Sequence, residues 1–282
     1  MMSSKAQSWI NCDEDIKQYI QSVVRNISDL LGRSLVGIYL YGSLAMGSYY
    51  RPKSDIDLII VIDTKLRPDL RKKIAETFVK LAENCPTVGN LEASVITSLA
   101  AKKFKHPCPF EVHYGSEWHE KIKKGEIDFS ENKTDSDLAS HLMYVIKRGV
   151  VLHGKEIKDT FNPIPWNYFI DSILDDFDWI VSDENIIETP FYSILNICRV
   201  IRTLSEGDQE IFSKDEGGEW GLRNLPEEFL ELVQKSLSVY RSEKKITLEQ
   251  RRQGGIDWNK DELLKFRDYA KGKVASLVGF KI

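Results

Sequence analysis

The stretch YLYGSLAMGSYYRPKSDIDLIIVI, residues 39–62, holds the side chains most able to do chemistry. An apolar run ends at Tyr41, and Gly42-Ser43 follows as a turn leading into a helix. Glycine there lets backbone approach a ligand closely, and a helix start offers free N–H groups to a phosphate. Eleven residues separate Ser43 from Asp55, and Asp55-Ile56-Asp57 then opens a second apolar run. Residues i and i+2 of a strand share a face, so Asp55 and Asp57 should present their carboxylates side by side. Adjacent like charges resist joint ionisation unless a cation holds them, and a hard cation with oxygen ligands, Mg²⁺ shared with phosphates, is the natural partner. Glu92 in LEASVI adds a third carboxylate, costly in an apolar strand unless it faces the same polar site. Each piece alone has a bland reading, as a turn, a solvated strand edge and a lysine partner. Jointly they point to metal-dependent nucleotidyl transfer: in-line attack of a hydroxyl on the α-phosphorus of a nucleoside triphosphate, with pyrophosphate leaving.

The surrounding periodicities supply the elements that must hold these groups. Apolar residues at helical spacing run from Asp13 to Leu31, and Gly32 is a natural stop. Leu35 to Tyr41, Ile56 to Ile62 and Leu91 to Thr97 read as strands, with a shorter one at Glu111 to Tyr114. Pro68 opens a helix to about Asn84. After about residue 135 strand signals almost vanish, and helical periods fall near 136–149, 166–182, 191–205, 213–222, 227–240 and 260–278. The expected fold is α+β: an α/β domain over 1–157, then an all-helical bundle domain over 158–282.

Composition narrows the function classes. The 282 residues carry 39 Lys plus Arg against 43 Asp plus Glu, a net charge of −4, without a basic block. A general polynucleotide binder would carry a positive face, so no nucleic-acid partner is expected. No apolar run approaches the roughly 20 residues of a membrane span, and the first residues lack the apolar core of a signal peptide. The 4 cysteines are scattered without a Cys-x-x-Cys pair, suggesting neither zinc nor a disulfide framework. The expectation is a cytoplasmic monomer.

At Gly42-Ser43 and Asp55-x-Asp57 the chain resembles the nucleotidyltransferase superfamily that includes DNA polymerase beta. It further resembles the aminoglycoside (3″)(9) adenylyltransferases, the streptomycin and spectinomycin resistance enzymes, from about Ile16 to Leu277. The matching stretches are YLYGS…SDIDLI, LEASVI, YGSEW, DSDL, LNICRVIRTLSEG, FSKDEGGEWGLRNLP and VYRSE. The first identifies only the superfamily, and those in the helical half are far more specific. The resemblance implies a DNA polymerase beta-like first domain and Mg²⁺-dependent transfer of AMP from ATP to a hydroxyl of streptomycin or spectinomycin. Asp55, Asp57 and Glu92 would hold the metal, two ions in all, and Glu92 would be the catalytic base. Gly42, Ser43, Ser54, Asp137 and Tyr240 would contact the nucleotide, Arg199 and Lys214 its triphosphate, and Trp118 the antibiotic.

One further pattern bears on the acceptor. Family members acting on both antibiotics carry a tryptophan, an aspartate five residues on and another four further; here Trp179, Glu184 and Glu188 stand at that spacing. An extra residue follows near Pro190, and Tyr192 stands where the family has histidine. The resemblance implies that these three residues meet streptomycin, the indole by packing and the glutamates by hydrogen bonds to its guanidinium groups. The other readings are the same chemistry on another small-molecule or protein hydroxyl, and a non-catalytic nucleotide-binding partner protein. The five histidines show no metal spacing and receive no role.

Overall fold

The computed structural model of the chain describes residues 5–51, 53–247, 250 and 252–279. The chain divides into two compact units: Gln7–Tyr49 with Ser54–Ser172, and Ile173–Ile282 with Met1–Ala6 and Tyr50–Lys53. The division falls inside a helix, fifteen residues beyond the expected 157/158, and the helical unit also takes in four residues of the Gly-Ser/Asp-x-Asp loop.

The sheet unit opens with α1 (Glu14–Leu31), which buries Ile16, Tyr19, Ile20, Val23, Ile27 and Leu31 along one stripe. Next come β1 (Leu35–Tyr41), the five-residue α2 (Gly42–Met46), β2 (Ile56–Ile62), α3 (Pro68–Ala82) and β3 (Leu91–Thr97). All three strands occupy the spans expected from sequence. They are followed by α4 (Ser98–Lys102), β4 (Cys108–Phe110), β5 (Val112–Tyr114), α5 (Ser116–Lys123), β6 (Lys133–Asp135) and α6 (Leu138–Arg148). The expected strand at Glu111 to Tyr114 is thus β5, and β4 precedes it. Then comes β7 (Val150–Gly154), a strand the sequence did not signal, followed by α7 (Ile157–Thr160) and α8 (Trp166–Ile180). Five residues of half-exposed Val-Val-Leu-His-Gly behind a helix carry little alternation of their own. Pairing with β1, more than a hundred residues earlier, makes them a strand.

The main sheet has the order β5-β3-β2-β1-β7, with β2 and β3 parallel and the other pairs antiparallel. Every β2 residue except Asp57 is buried, which suits a central strand. Leu58, Ile60 and Ile62 join Ile38, Leu40 and the buried stripes of α1 and α3 in one core. Asp57, Ile59 and Val61 alternate to the opposite face, as do Tyr39 and Tyr41 of β1. Tyr39 closes that face against Phe161, ring centroids 5.0 Å apart, and its hydroxyl donates to the Lys155 carbonyl at 2.9 Å.

The helical unit contains α9 (Asp183–Glu188), α10 (Pro190–Glu206), α11 (Lys214–Asn224), α12 (Leu230–Tyr240) and α13 (Lys260–Gly279), besides the end of α8. Helix α10 is its axis, buried on several sides and packed by α9, α11, α12 and α13. Pro190 begins it, since a first-turn proline gives up no helical hydrogen bond. A Ser213/Glu216 capping box fixes the start of α11. A Cβ at Gly217 would come within 2.8 Å of the Arg199 backbone, so glycine there is what lets α11 lie so close to α10. Tyr50 and Lys53 are anchored to this unit. Tyr50 meets the Tyr240 ring edge-on at 4.9 Å, and buried Lys53 donates to the Ser242 carbonyl at 2.6 Å and its hydroxyl at 3.0 Å. Among the described residues no helix is long and apolar enough to cross a membrane.

Candidate active site

Asp55, Asp57 and Glu92 converge: one carboxylate oxygen from each lies within 4.8 Å of the others, and all three are half-buried. Strand register accounts for most of this. Asp57 and Glu92 are direct partners across the parallel β2–β3 pair, so their side chains leave the same face one strand apart. Asp55 is not part of β2, as the sequence suggested, but is the residue just before it. It nevertheless stays on the Asp57 side. The site therefore sits at the N-terminal ends of β2 and β3, where antiparallel β1 ends at Tyr41, the register partner of Asp57.

Two glycines press on this cluster. Gly42 has φ +68°, and a Cβ there would lie 1.9 Å from Asp57 Oδ2. Only glycine accepts that backbone and leaves room for the carboxylate. Gly89, in the loop before β3, fills the same role on the other side: a Cβ there would lie 1.9 Å from the Ser54 carbonyl and 2.7 Å from Asp55 Oδ1. Gly89 was missed from sequence because it lies over thirty residues from the Asp-x-Asp motif and only the β2–β3 pairing brings it there. Ser43 is half-buried in the first turn of α2, and Ser54 is buried, its carbonyl accepting from the Thr87 hydroxyl at 3.3 Å.

The charge of the cluster is felt around it. Burial holds the Tyr41 phenol well above its ordinary pKa, and Glu92, Asp57, Asp135 and Asp55 add to the shift, so this hydroxyl stays protonated beside the carboxylates. Asp135 is thus a fourth nearby acid that sequence reasoning did not single out. Its carboxylate accepts from the Asp137 backbone N–H at 2.8 Å, while Asp137 itself is exposed at the N-cap of α6. Nor was His113 assigned a role. It is the register partner of Ser94, two residues along β3 from Glu92 and on the same face, and its Nδ1 shares a hydrogen bond with the Ser94 hydroxyl at 2.9 Å. Burial pushes this imidazole below its ordinary pKa, against the pull of Glu92 and Asp135. Half-buried Trp118 meets His113 edge-on at 5.3 Å and Phe110 at 6.1 Å, and it also packs against the core on the other face of the sheet.

The helical unit groups the other expected residues. Lys214 is the first residue of α11, with its Nζ 5.2 Å from the centroid of the Tyr192 ring. A cation at a helix N-terminus opposes the macrodipole, a cost that a bound anion would relieve. Arg199 on α10 is half-buried and 3.8 Å from Asp176. Tyr240 is buried, its ring stacked on Phe191 at 6.2 Å as well as against Tyr50. The next residue, Arg241, grips both oxygens of Asp215 at 2.7 and 2.9 Å, which ties the end of α12 to the first turn of α11. Hydrogen bonding to Asp215 holds the Arg241 pKa above its usual value. Trp179 is 42% exposed, and Glu184 and Glu188 are exposed on α9, a helix outside the helical periods read from sequence.

The chain is similar to known proteins over most of its length. A family profile described as "Aminoglycoside adenylyltransferase, C-terminal domain" matches residues 159–270. A spectinomycin 9-adenylyltransferase of Staphylococcus aureus is 30% identical over 229 residues, covering 80% of this chain and 85% of that protein. An aminoglycoside (3″)(9) adenylyltransferase of Rhizobium radiobacter is 22% identical over 261 residues, 89% of this chain and 88% of that one. Among solved structures, a spectinomycin adenyltransferase from Enterococcus faecialis with ATP and spectinomycin shares the fold. Its TM-score is 0.75 at 22% identity, over 92% of this chain and 99% of that one.

Proposed function

Because the chain belongs to the aminoglycoside adenylyltransferase family, we propose that it transfers AMP from ATP to a hydroxyl of spectinomycin and of streptomycin, in a Mg²⁺-dependent reaction that confers resistance. The observation that carries this reading is the convergence of Asp55, Asp57 and Glu92 within 4.8 Å. Three half-buried carboxylates this close repel one another, and hard oxygen donors of that number suit Mg²⁺. Asp55, Asp57 and Glu92 would hold it, and when bound it supplies neutralisation of the triphosphate's charge.

The chain's own residues do the rest. Glu92 accepts the proton of the antibiotic hydroxyl as its oxygen bonds to the α-phosphorus and the bond to pyrophosphate breaks. Gly42 keeps Asp57 in place, and Ser43, Ser54, Asp137 and Tyr240 contact the nucleotide. Arg199 and Lys214 take up charge on the departing pyrophosphate. Trp118 lines the acceptor side. Trp179, Glu184 and Glu188 receive the larger, guanidinium-bearing acceptor, streptomycin. The enzyme works as a cytoplasmic monomer on small molecules, without nucleic acid.

Incubating the protein with Mg²⁺, ATP and each antibiotic, followed by mass analysis, should show an AMP adduct on both. No adduct on either removes the proposed activity. An adduct on spectinomycin alone, unchanged in Trp179→Ala, removes the streptomycin part.

A further inference from the structure

We propose that Trp179 and Tyr192 form a guanidinium seat which the protein's own Arg252 fills, so that Arg252 sets the preference between acceptors by competing with a guanidinium-bearing antibiotic. The inference rests on the reading of streptomycin as an acceptor and names the residue that regulates its entry.

Arg252 lies in the segment between α12 and α13, yet its guanidinium carbon is 5.5 Å from the centroid of the Trp179 ring and 4.8 Å from that of Tyr192. Those rings come from different helices, α8 and α10, and converge on one planar cation. A cation within about 6 Å of a ring centroid is attracted to its π face, and a guanidinium, planar and weakly hydrated, also stacks well. The large hydrophobic side chains exposed among the described residues are Ile10, Leu99 and Trp179. Only an aromatic one can serve a cation in this way.

Tyr192 completes the seat. Its ring attracts a guanidinium whatever the pH. Lys214 already sits 5.2 Å from the same ring, so two protein cations share it. An antibiotic guanidinium must therefore displace Arg252 from its two ring contacts before it gains its own. Its apparent affinity falls by the fraction of molecules in which the seat is open. Spectinomycin has no guanidinium and escapes this competition.

The test compares wild type with Arg252→Gln and Arg252→Lys, each checked for an unchanged unfolding temperature. Releasing two part-exposed cation–π contacts should lower the streptomycin KM in Arg252→Gln roughly five- to thirtyfold, with spectinomycin changing less than twofold and Arg252→Lys falling between. A KM for streptomycin that is unchanged or higher in Arg252→Gln overturns the proposal. Methylguanidinium, titrated against the indole N–H resonance of Trp179, gives a second readout that needs no turnover. Tighter methylguanidinium binding in Arg252→Gln than in wild type supports the seat, and equal binding overturns it. Absence of any streptomycin product, with the methylguanidinium gain present, removes the dual-acceptor reading and leaves the seat standing.

Discussion

The two units assemble their candidate residues by different means. In the sheet unit three acids meet because hydrogen-bonded register places Asp57 beside Glu92 and because Asp55 lies two residues from Asp57. In the helical unit Arg199 and Lys214 stand on separate helices, and the packing of α11 on α10 does most to set where they are. A strand pair fixes side chains to within a pleat, whereas helix packing leaves position to the size of whichever residues meet at the contact. Damage to the first should therefore appear mainly as lost chemistry, and damage to the second as lost stability and weaker nucleotide binding.

The largest effect is expected for Asp57→Asn, which should abolish activity and also weaken Mg²⁺-ATP binding by removing an anionic ligand. Unchanged affinity by calorimetry would contradict the role assigned to the β2–β3 cluster. Next, Glu92→Gln keeps the shape but cannot accept a proton. Turnover should drop by roughly 10²–10⁴ while ATP still binds, and near-normal turnover would place the base elsewhere.

A pair of glycine substitutions separates the two modes directly. Gly42→Ala places a methyl 1.9 Å from Asp57 Oδ2 on a backbone with φ +68°, and should cost kcat on the order of 10² through the displaced carboxylate. Gly217→Ala pushes α11 away from the Arg199 backbone, only 2.8 Å from the added carbon. Overpacking of that kind costs about 1–3 kcal/mol, so the unfolding temperature should fall and KM for ATP rise while kcat changes least. If both variants lose kcat and keep stability, the contrast between the units fails.

The smallest effect is expected for Arg241→Gln. Its side chain is 23% exposed and pairs with Asp215 and with Glu219, each at 2.7 Å, so at up to about 1 kcal/mol per pair the loss should be about 1–2 kcal/mol and should shrink at high salt. A denaturation midpoint that is salt-independent in both forms would show that the link between α12 and α11 is carried by packing instead.

By itself the sequence determined the parts whose cause is local. The three central strands, the long amphipathic helices and the acids at 55, 57 and 92 were legible because side-chain period and two-residue spacing are properties of a short stretch of chain. Family-specific stretches such as FSKDEGGEWGLRNLP carried the rest of the recognition. Tertiary structure alone decided what depends on distant residues. β7 is a strand only because β1 offers it an edge. Gly89 matters only because the β2–β3 pairing carries it onto Asp55, and His113 enters the site only through its register with Ser94. Residues 50–53 read as part of one motif loop, yet Tyr50 and Lys53 spend their contacts on α12 and the residues after it. The cationic Arg252 reads as one of many solvated charges until two aromatic rings are found around it. In each case the deciding energy comes from a contact between segments far apart in the chain, which no local spacing encodes.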